Sequence, residues 1–272
     1  MDPQPLAGRT VAVPETRELE VFAAMLERRG ARVLRCPLVA IRDAPDPAPV
    51  LEFAARLGRG EFDDLILTTG EGLRRLLQCI ERHEPQAKDG FLTALARVRC
   101  ITRGPKPARA LRELGLKPGI AAAPPTTAGI IASLTGENLA GRRIGVQLYG
   151  TEPNRPLLQF LEDAGASVRT VAPYVYADGA DDAAVQRLIA RLGAGEVDAI
   201  AFTSTPQVER LFAAAAPAAV AAALARTLVA AVGPVVAAAL ARHGIEACLV
   251  PGQSFFLKPL TTLLEEALRA RT

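Results

Sequence analysis

The stretch EVDAIAFTSTPQVERLF, Glu196 to Phe212, decides the fold, because the chain writes the same pattern earlier as EFDDLILTTGEGLRRLL, Glu61 to Leu77. Each reads acid, apolar residue, aspartate, apolar run, two small hydroxyls, a turn and an amphipathic tail. Glu61 and Glu196 lie 135 positions apart (196 − 61), as do Asp63 and Asp198, Thr68 and Thr203, Thr69 and Ser204, and Leu76 and Leu211. Upstream, Leu6 to Val33 matches Leu139 to Val168, with Gly8 paired to Gly141 and Gly30 to Gly165. Downstream, Ile101 to Pro118 matches Ala230 to Ala247, through Gly104 and Gly233, Leu111 and Leu240, Gly115 and Gly244. Matched landmarks in one order mean an internal duplication, to be sought before individual elements are assigned.

Within each copy, strand and helix patterns alternate. TVAVPE (10–15) is a short β-branched run, followed by a helix-period segment that ends at Arg29-Gly30, where glycine suits a left-handed cap. ARVLRCPLVAI is expected as a second strand, with DAPDPAP after it as a loop. DDLILTT is a continuous apolar strand of the kind buried on both faces of a parallel sheet. EGLRRLLQCIERH reads as a helix and RVRCITR as a further strand before a Gly-Pro turn. Such alternation predicts an α/β chain with two similar doubly wound parallel-sheet (α/β/α) domains.

Composition agrees with a globular chain of 272 residues, half of them hydrophobic and 22% charged. Basic residues outnumber acidic ones only 32 to 29 and are scattered, so nucleic acid is not an expected partner. Cys36, Cys79, Cys100 and Cys248 lie far apart, with no CxxC and no His pair at metal spacing. They are expected to be buried small apolar residues in a reducing, cytoplasmic compartment. MDPQPLAGRT has no signal-peptide pattern. LFAAAAPAAVAAALA (211–225) is shorter than the roughly 20 residues a bilayer span needs, so no membrane role is expected.

The distinctive residues collect where strands turn into helices: PETRE (14–18), TTGEG (68–72), TRGPKP (102–107), LYGTEPN (148–154), TSTPQ (203–207) and VGPVV (232–236). Ligands of open parallel sheets bind beyond the carboxyl ends of the strands, where helix N-termini present N–H groups to anions. Thr69 and Ser204 each suit a helix cap as well as an anion cradle. With Arg17, Arg103 and Lys106 nearby, the set points to a multi-point anion site in a cleft between the two domains. There is no GxGxxG after a strand, no GxxxxGK[ST] and no GxSxG. His83 and His243 sit in helix-period segments beside arginine, as solvated residues. Asp63, Asp64 and Asp198 fall at strand starts, away from the expected site.

LAGRTVAVPETRELEVFAAMLERRGARVLRCPLVAI, VDAIAFTSTPQVERLF, LVAAVGPVVAAALARHGI and LVPGQSFFLKPLTTLLEEAL together resemble the uroporphyrinogen-III synthase family, from about Leu6 to Leu268. The resemblance implies a bilobed fold crossed twice by the chain. One domain would comprise 1–38 with 177–272 and the other 42–172, with crossings near 36–41 and 171–178. The implied reaction cyclises hydroxymethylbilane, a linear tetrapyrrole with eight carboxylates, with inversion of ring D. Neither cofactor nor metal is implied. A monomer is expected, in transient contact with the preceding bilane-forming enzyme. The alternative is a non-catalytic, ligand-sensing paralogue of the same fold. Four residues follow Leu268, so no attached helix-turn-helix or receiver module is expected.

By the same resemblance Tyr174 falls on the family's tyrosine, as a weak acid toward the departing hydroxyl or as interdomain packing. Tyr176 takes that place if the register slips by two, and Tyr149 is a third candidate for the cleft wall. Substrate binding is expected from Arg17, Thr68, Thr69, Gly70, Arg103, Gly104, Lys106, Tyr149, Gly150, Thr203, Ser204, Thr205, Gly233 and Pro234. The chain departs from the family's GPxT turn at Val236 and Pro107, where the threonine hydroxyls are lost, and PETRE matches the family's first turn only with a shift at Arg17.

Overall fold

The computed structural model describes residues 4–150, 152–180, 182–246 and 248–271. Thr151 of the LYGTEPN turn, and Ala247 at the end of the matched downstream segment, lie outside the described residues. The chain divides into two compact units, Met1–Ala40 with Ala177–Thr272, and Ile41–Tyr176. The strands are β1 (Thr10–Val13), β2 (Arg32–Arg35), β3 (Val39–Asp43), β4 (Asp64–Leu67), β5 (Arg99–Thr102), β6 (Ile120–Ala121), β7 (Arg143–Gln147), β8 (Ser167–Val171), β9 (Tyr174–Asp178), β10 (Ala199–Phe202) and β11 (Leu228–Ala231).

In the first unit the sheet runs β11-β10-β1-β2, all parallel, and a parallel bridge from Ala230 to Leu249 extends its edge. The second unit's sheet runs β6-β5-β4-β7-β8, also parallel. Matching by duplication pairs β10 with β4, β1 with β7, β2 with β8 and β11 with β5, so the two sheets share one spatial order. Only the point of entry differs. The first unit starts at β1 and β2, whereas the second starts at β4, which makes them circular permutants. The expected doubly wound α/β architecture is therefore present twice. Its topological switch points lie between β1 and β10 and between β4 and β7, where a parallel sheet offers its crevice.

Burial explains the strands. All four residues of β4 are buried. Leu65 and Leu67 join Phe53, Leu73, Leu76 and Phe91 on one face. Ile66 points to the other face, among Ile101, Ile144, Val146 and Leu161. That is the period-2 alternation of a strand with helices on both faces. The duplicated aspartates fix register at the amino ends of the central strands. Asp63 Oδ2 accepts from Arg143 N at 2.8 Å, and Asp198 Oδ2 accepts from Thr10 N at 2.7 Å, at equivalent places in the two sheets. Asp63 is held down to about 2 by hydrogen bonds from the Arg143 side chain and backbone.

Three readings need correction. ARVLRCPLVAI is two strands, because Pro37 cannot donate to a ladder; β3 leaves the sheet and pairs with β9 instead. Only Cys100 of the cysteines is fully buried, and Cys36, Cys79 and Cys248 are partly so. Burial still pushes the Cys36 and Cys100 thiols up to about 12, far from reactive thiolates. His243 is not merely solvated: its ring stacks on Phe212 at 4.1 Å and its Nε2 lies 2.9 Å from Glu209. His83 is exposed, as expected. Among the described residues no single helix is long and apolar enough to cross a membrane.

Candidate functional site

The second unit gathers a polar cluster at its switch point. Thr68 leaves the end of β4 and its hydroxyl donates to the Gln147 carbonyl at 2.8 Å, tying β4 to β7. Thr69 follows in extended backbone and caps the helix Gly70–His83, its Oγ1 accepting from Gly72 N at 3.0 Å. The buried Gln147 amide completes the turn: its Oε1 accepts from Thr69 N at 3.1 Å, and its Nε2 donates to the Leu148 carbonyl and to Thr69 Oγ1. A Cβ on Gly72 would collide with that amide, and a Cβ on Gly70 would stand 2.8 Å from the Lys106 carbonyl. The first turns of the helices Gly70–His83 and Pro105–Glu113 are thus in direct contact.

All three tyrosines of the chain meet beside this turn. Tyr174 and Tyr176 are edge to face at 5.4 Å, and Tyr176 lies 5.5 Å from Tyr149. Gly150, at φ +55°, lets the Tyr176 ring lie against the backbone; a Cβ there would stand 2.9 Å from Cδ2. The Tyr174 hydroxyl reaches Thr69 Oγ1 at 3.2 Å. Its side chain is 0% exposed, and burial pushes the phenol above its ordinary range.

Arg103 supplies the cluster's charge. Its Nε donates to the Thr68 carbonyl at 3.0 Å and its guanidinium lies 5.3 Å over the Tyr149 ring. Burial pulls its pKa down, while the three tyrosines act in the opposite sense. No carboxylate among the described residues pairs with it, unlike Arg99 and Arg142, which both hold Asp64. A half-buried cation without a counter-ion is suited to receive an anion. Gly104, at φ +78°, turns the chain against Pro125 where no larger residue fits, and Lys106 is half-buried on the first turn that follows.

The first unit treats the equivalent position differently. Glu15, absent from the expected site, is 6% exposed and fills the crevice between β1 and β10. Its Oε2 accepts from the Thr203 hydroxyl and from Gln207 Nε2, and its Oε1 from Arg17 N at 3.0 Å. Arg17 therefore contributes its backbone N–H here, with its side chain exposed. Ser204 caps the helix Thr205–Ala213 through a capping box with Gln207. Thr205 and Pro234 are half-buried at helix starts, and a Cβ on Gly233 would stand 3.0 Å from the Phe255 ring. The expected residues thus form two sets: Thr68, Thr69, Gly70, Arg103, Gly104, Lys106, Tyr149, Gly150 and Tyr174 in one unit, and Arg17, Thr203, Ser204, Thr205, Gly233 and Pro234 in the other. Gln147, Gln207 and Glu15 were missed. Their only signal was an amide or acid at a strand end or first helical turn, too common to single out.

Residues 20–256 match the family model described as uroporphyrinogen-III synthase HemD. The chain belongs to the uroporphyrinogen-III synthase family. It is 31% identical to a mutant uroporphyrinogen III synthase from the extremely thermophilic bacterium Thermus thermophilus, covering 97% of this chain and 99% of that one, with a TM-score of 0.74. A putative uroporphyrinogen-III synthase from Methanothermobacter thermautotrophicus is 29% identical over 87% of this chain and 90% of its own length. The uncharacterized protein YjjA of Bacillus subtilis is 34% identical, covering 90% of this chain and 91% of its own length. Among the described residues no group of three or more His, Cys, Asp and Glu side chains is placed to hold a metal ion.

Proposed function

We propose that this chain is a uroporphyrinogen-III synthase, a lyase that converts hydroxymethylbilane to the cyclic isomer with ring D inverted, with net loss of one water. The observation that carries the reading is Arg103, a half-buried cation without a carboxylate partner among the described residues, set among three phenols at the β4/β7 switch point. A substrate bearing eight carboxylates would supply the missing anion. A phenol proton would leave with the terminal hydroxyl as water, giving an azafulvene. The substituted carbon of ring D attacks it, the resulting spiro intermediate fragments and recloses, and loss of a ring proton restores the phenol's proton to the balance. Folding the bilane so that this carbon is nearest the electrophile is a task of proximity and orientation. The free cysteines support a reducing, cytoplasmic setting, and we place the protein there as a monomer that takes its substrate from the preceding bilane-forming enzyme.

One observation favours the ligand-sensing alternative: Glu15 puts a buried carboxylate at the first unit's switch point, where it would repel an anionic substrate. A coupled assay decides. Hydroxymethylbilane is generated in situ, the protein is added, and the oxidised products are separated. Predominantly type III uroporphyrin, dependent on this protein, is the expected outcome. Type I alone, from folded protein, would leave the ligand-sensing reading.

A further inference from the structure

The second unit has a groove that the proposed reaction does not use. Its volume is about 720 Å³, within the ordinary range for small-molecule sites. One wall is a single face of the helix Lys88–Arg97, where Gly90, Thr93, Ala94 and Arg97 follow the i, i+3, i+4, i+7 spacing. The other wall is the turn between the helix Ala48–Gly58 and β4, joined by Arg142 just before β7. The groove therefore lies at the amino ends of β4 and β7, whereas Thr68 and Gln147 lie at their carboxyl ends. A four-residue strand, about 13 Å long, separates it from the Arg103 cluster.

The lining combines an apolar floor with a cationic rim. Leu57 and Phe62 are buried and Val98 is half-buried, while Arg59 and Arg97 are exposed. The carboxylates at this end are already held by arginine. Asp63 pairs with Arg143, Asp64 lies between Arg99 and Arg142, and Glu52 and Glu61 are shared by Arg56 and Arg59. Arg97 alone of these arginines has no ion pair among the described residues. Gly90 weakens its helix relative to alanine, yet nothing in the fold demands a glycine there: a Cβ would meet no atom within 4 Å. What the glycine keeps clear is the groove.

We propose that this groove binds a small anion with an apolar body, such as an aromatic carboxylate, its charge on Arg97 and its body over Leu57, Phe62 and Val98. A bare inorganic anion would leave the apolar floor in water, and a neutral apolar ligand would leave Arg97 unpaired. The proposal is independent of the synthase reaction, because the site shares no residue with the Arg103 cluster.

Naphthaleneacetate is the probe. The chain has no tryptophan, so polarisation of the naphthyl emission reads binding directly. Saturable binding to the full-length wild type is expected, with a Kd of roughly 1 mM or tighter. Naphthaleneacetamide, of the same shape without the charge, should bind at least about tenfold more weakly, and so should the acid to Arg97→Met. Gly90→Leu narrows the groove from one wall and should weaken both ligands. Both positions are exposed, so each variant should keep the wild-type Tm within a few degrees. Arg103→Met should bind the acid as the wild type does. The proposal is overturned if the wild type shows no saturation in that range, if either groove variant binds as well as the wild type, or if the amide binds as well as the acid. Loss of binding in Arg103→Met would overturn it too, by putting the probe at the β4/β7 switch point.

Discussion

At the scale of single residues, Arg103 carries the strongest consequence. Its neighbours are a backbone carbonyl and an aromatic face, and neither neutralises the charge. Partial burial already penalises the guanidinium, so an arriving carboxylate would be bound by a group that has lost part of its solvation. Charge-assisted hydrogen bonds contribute about 1.5–3 kcal/mol, which corresponds to a roughly 10- to 100-fold change in affinity. Arg103→Met should therefore raise KM for the bilane by about that factor, with a smaller effect on kcat, because the contact forms in ground and transition states alike. Arg103→Lys should recover part of the loss, lacking the planar fork that spans the Thr68 carbonyl and the Tyr149 ring. Steady-state kinetics on the three proteins test this. An unchanged KM in Arg103→Met would show that the bilane carboxylates bind elsewhere.

At the scale of elements, the duplicated strand-to-helix turns solve one problem with residues exchanged between partners. In the second unit the strand supplies the amide: Gln147 follows the core of β7, and Gly72 on the helix leaves it room. In the first unit the helix supplies it: Gln207 stands where Gly72 would be, and Pro14 stands where Gln147 would be. Both amides accept from the backbone N–H of the second hydroxyl residue of the turn, at 3.1 Å from Thr69 and 3.3 Å from Ser204, and Gln207 accepts from Thr203 N as well, at 2.8 Å. The swap predicts coupled mutations. Gly72→Gln and Gln147→Ala should each destabilise by about 1–3 kcal/mol, the first by collision and the second by leaving buried groups unpaired. Together they should restore most of that loss, since the helix can now supply the amide as in the first unit. Urea denaturation of the four proteins measures the coupling; additive losses would mean that the amides are not interchangeable. The same comparison shows what the sequence made legible. Periodicity and repeat spacing located the strands, the caps Thr69 and Ser204 and the turns that bear the site. They did not locate Gln147 or Glu15, because their roles depend on which strand lies alongside, and long-range pairing has no local pattern. Nor could the resemblance alone tell Tyr174 from Tyr176, which share a strand face and differ only in burial.

At the scale of the whole molecule, two copies of one sheet order are threaded differently, and that threading has a folding consequence. The second unit, Ile41–Tyr176, is continuous in sequence and contains its complete five-stranded parallel sheet with packed clusters on both faces. The first unit is interrupted by it, yet the interrupted ends are close together. Gly179 N donates to the Leu38 carbonyl at 3.1 Å, and a Cβ on Gly179 would stand 2.6 Å from the Val39 carbonyl carbon. The second unit's own ends are likewise joined, Ala44 N to the Pro173 carbonyl at 3.2 Å. Each unit therefore closes on itself, which is the condition for excising an inserted domain. Residues 41–176 expressed alone should fold cooperatively, with α/β circular dichroism and a single urea transition. A chain joining Ala40 directly to Ala177 should do the same. Neither fragment should make type III uroporphyrin, since the expected substrate contacts are divided between them. If residues 41–176 instead remain unfolded, the second sheet depends on the rest of the chain, and the duplication has lost the independence that its closed ends imply.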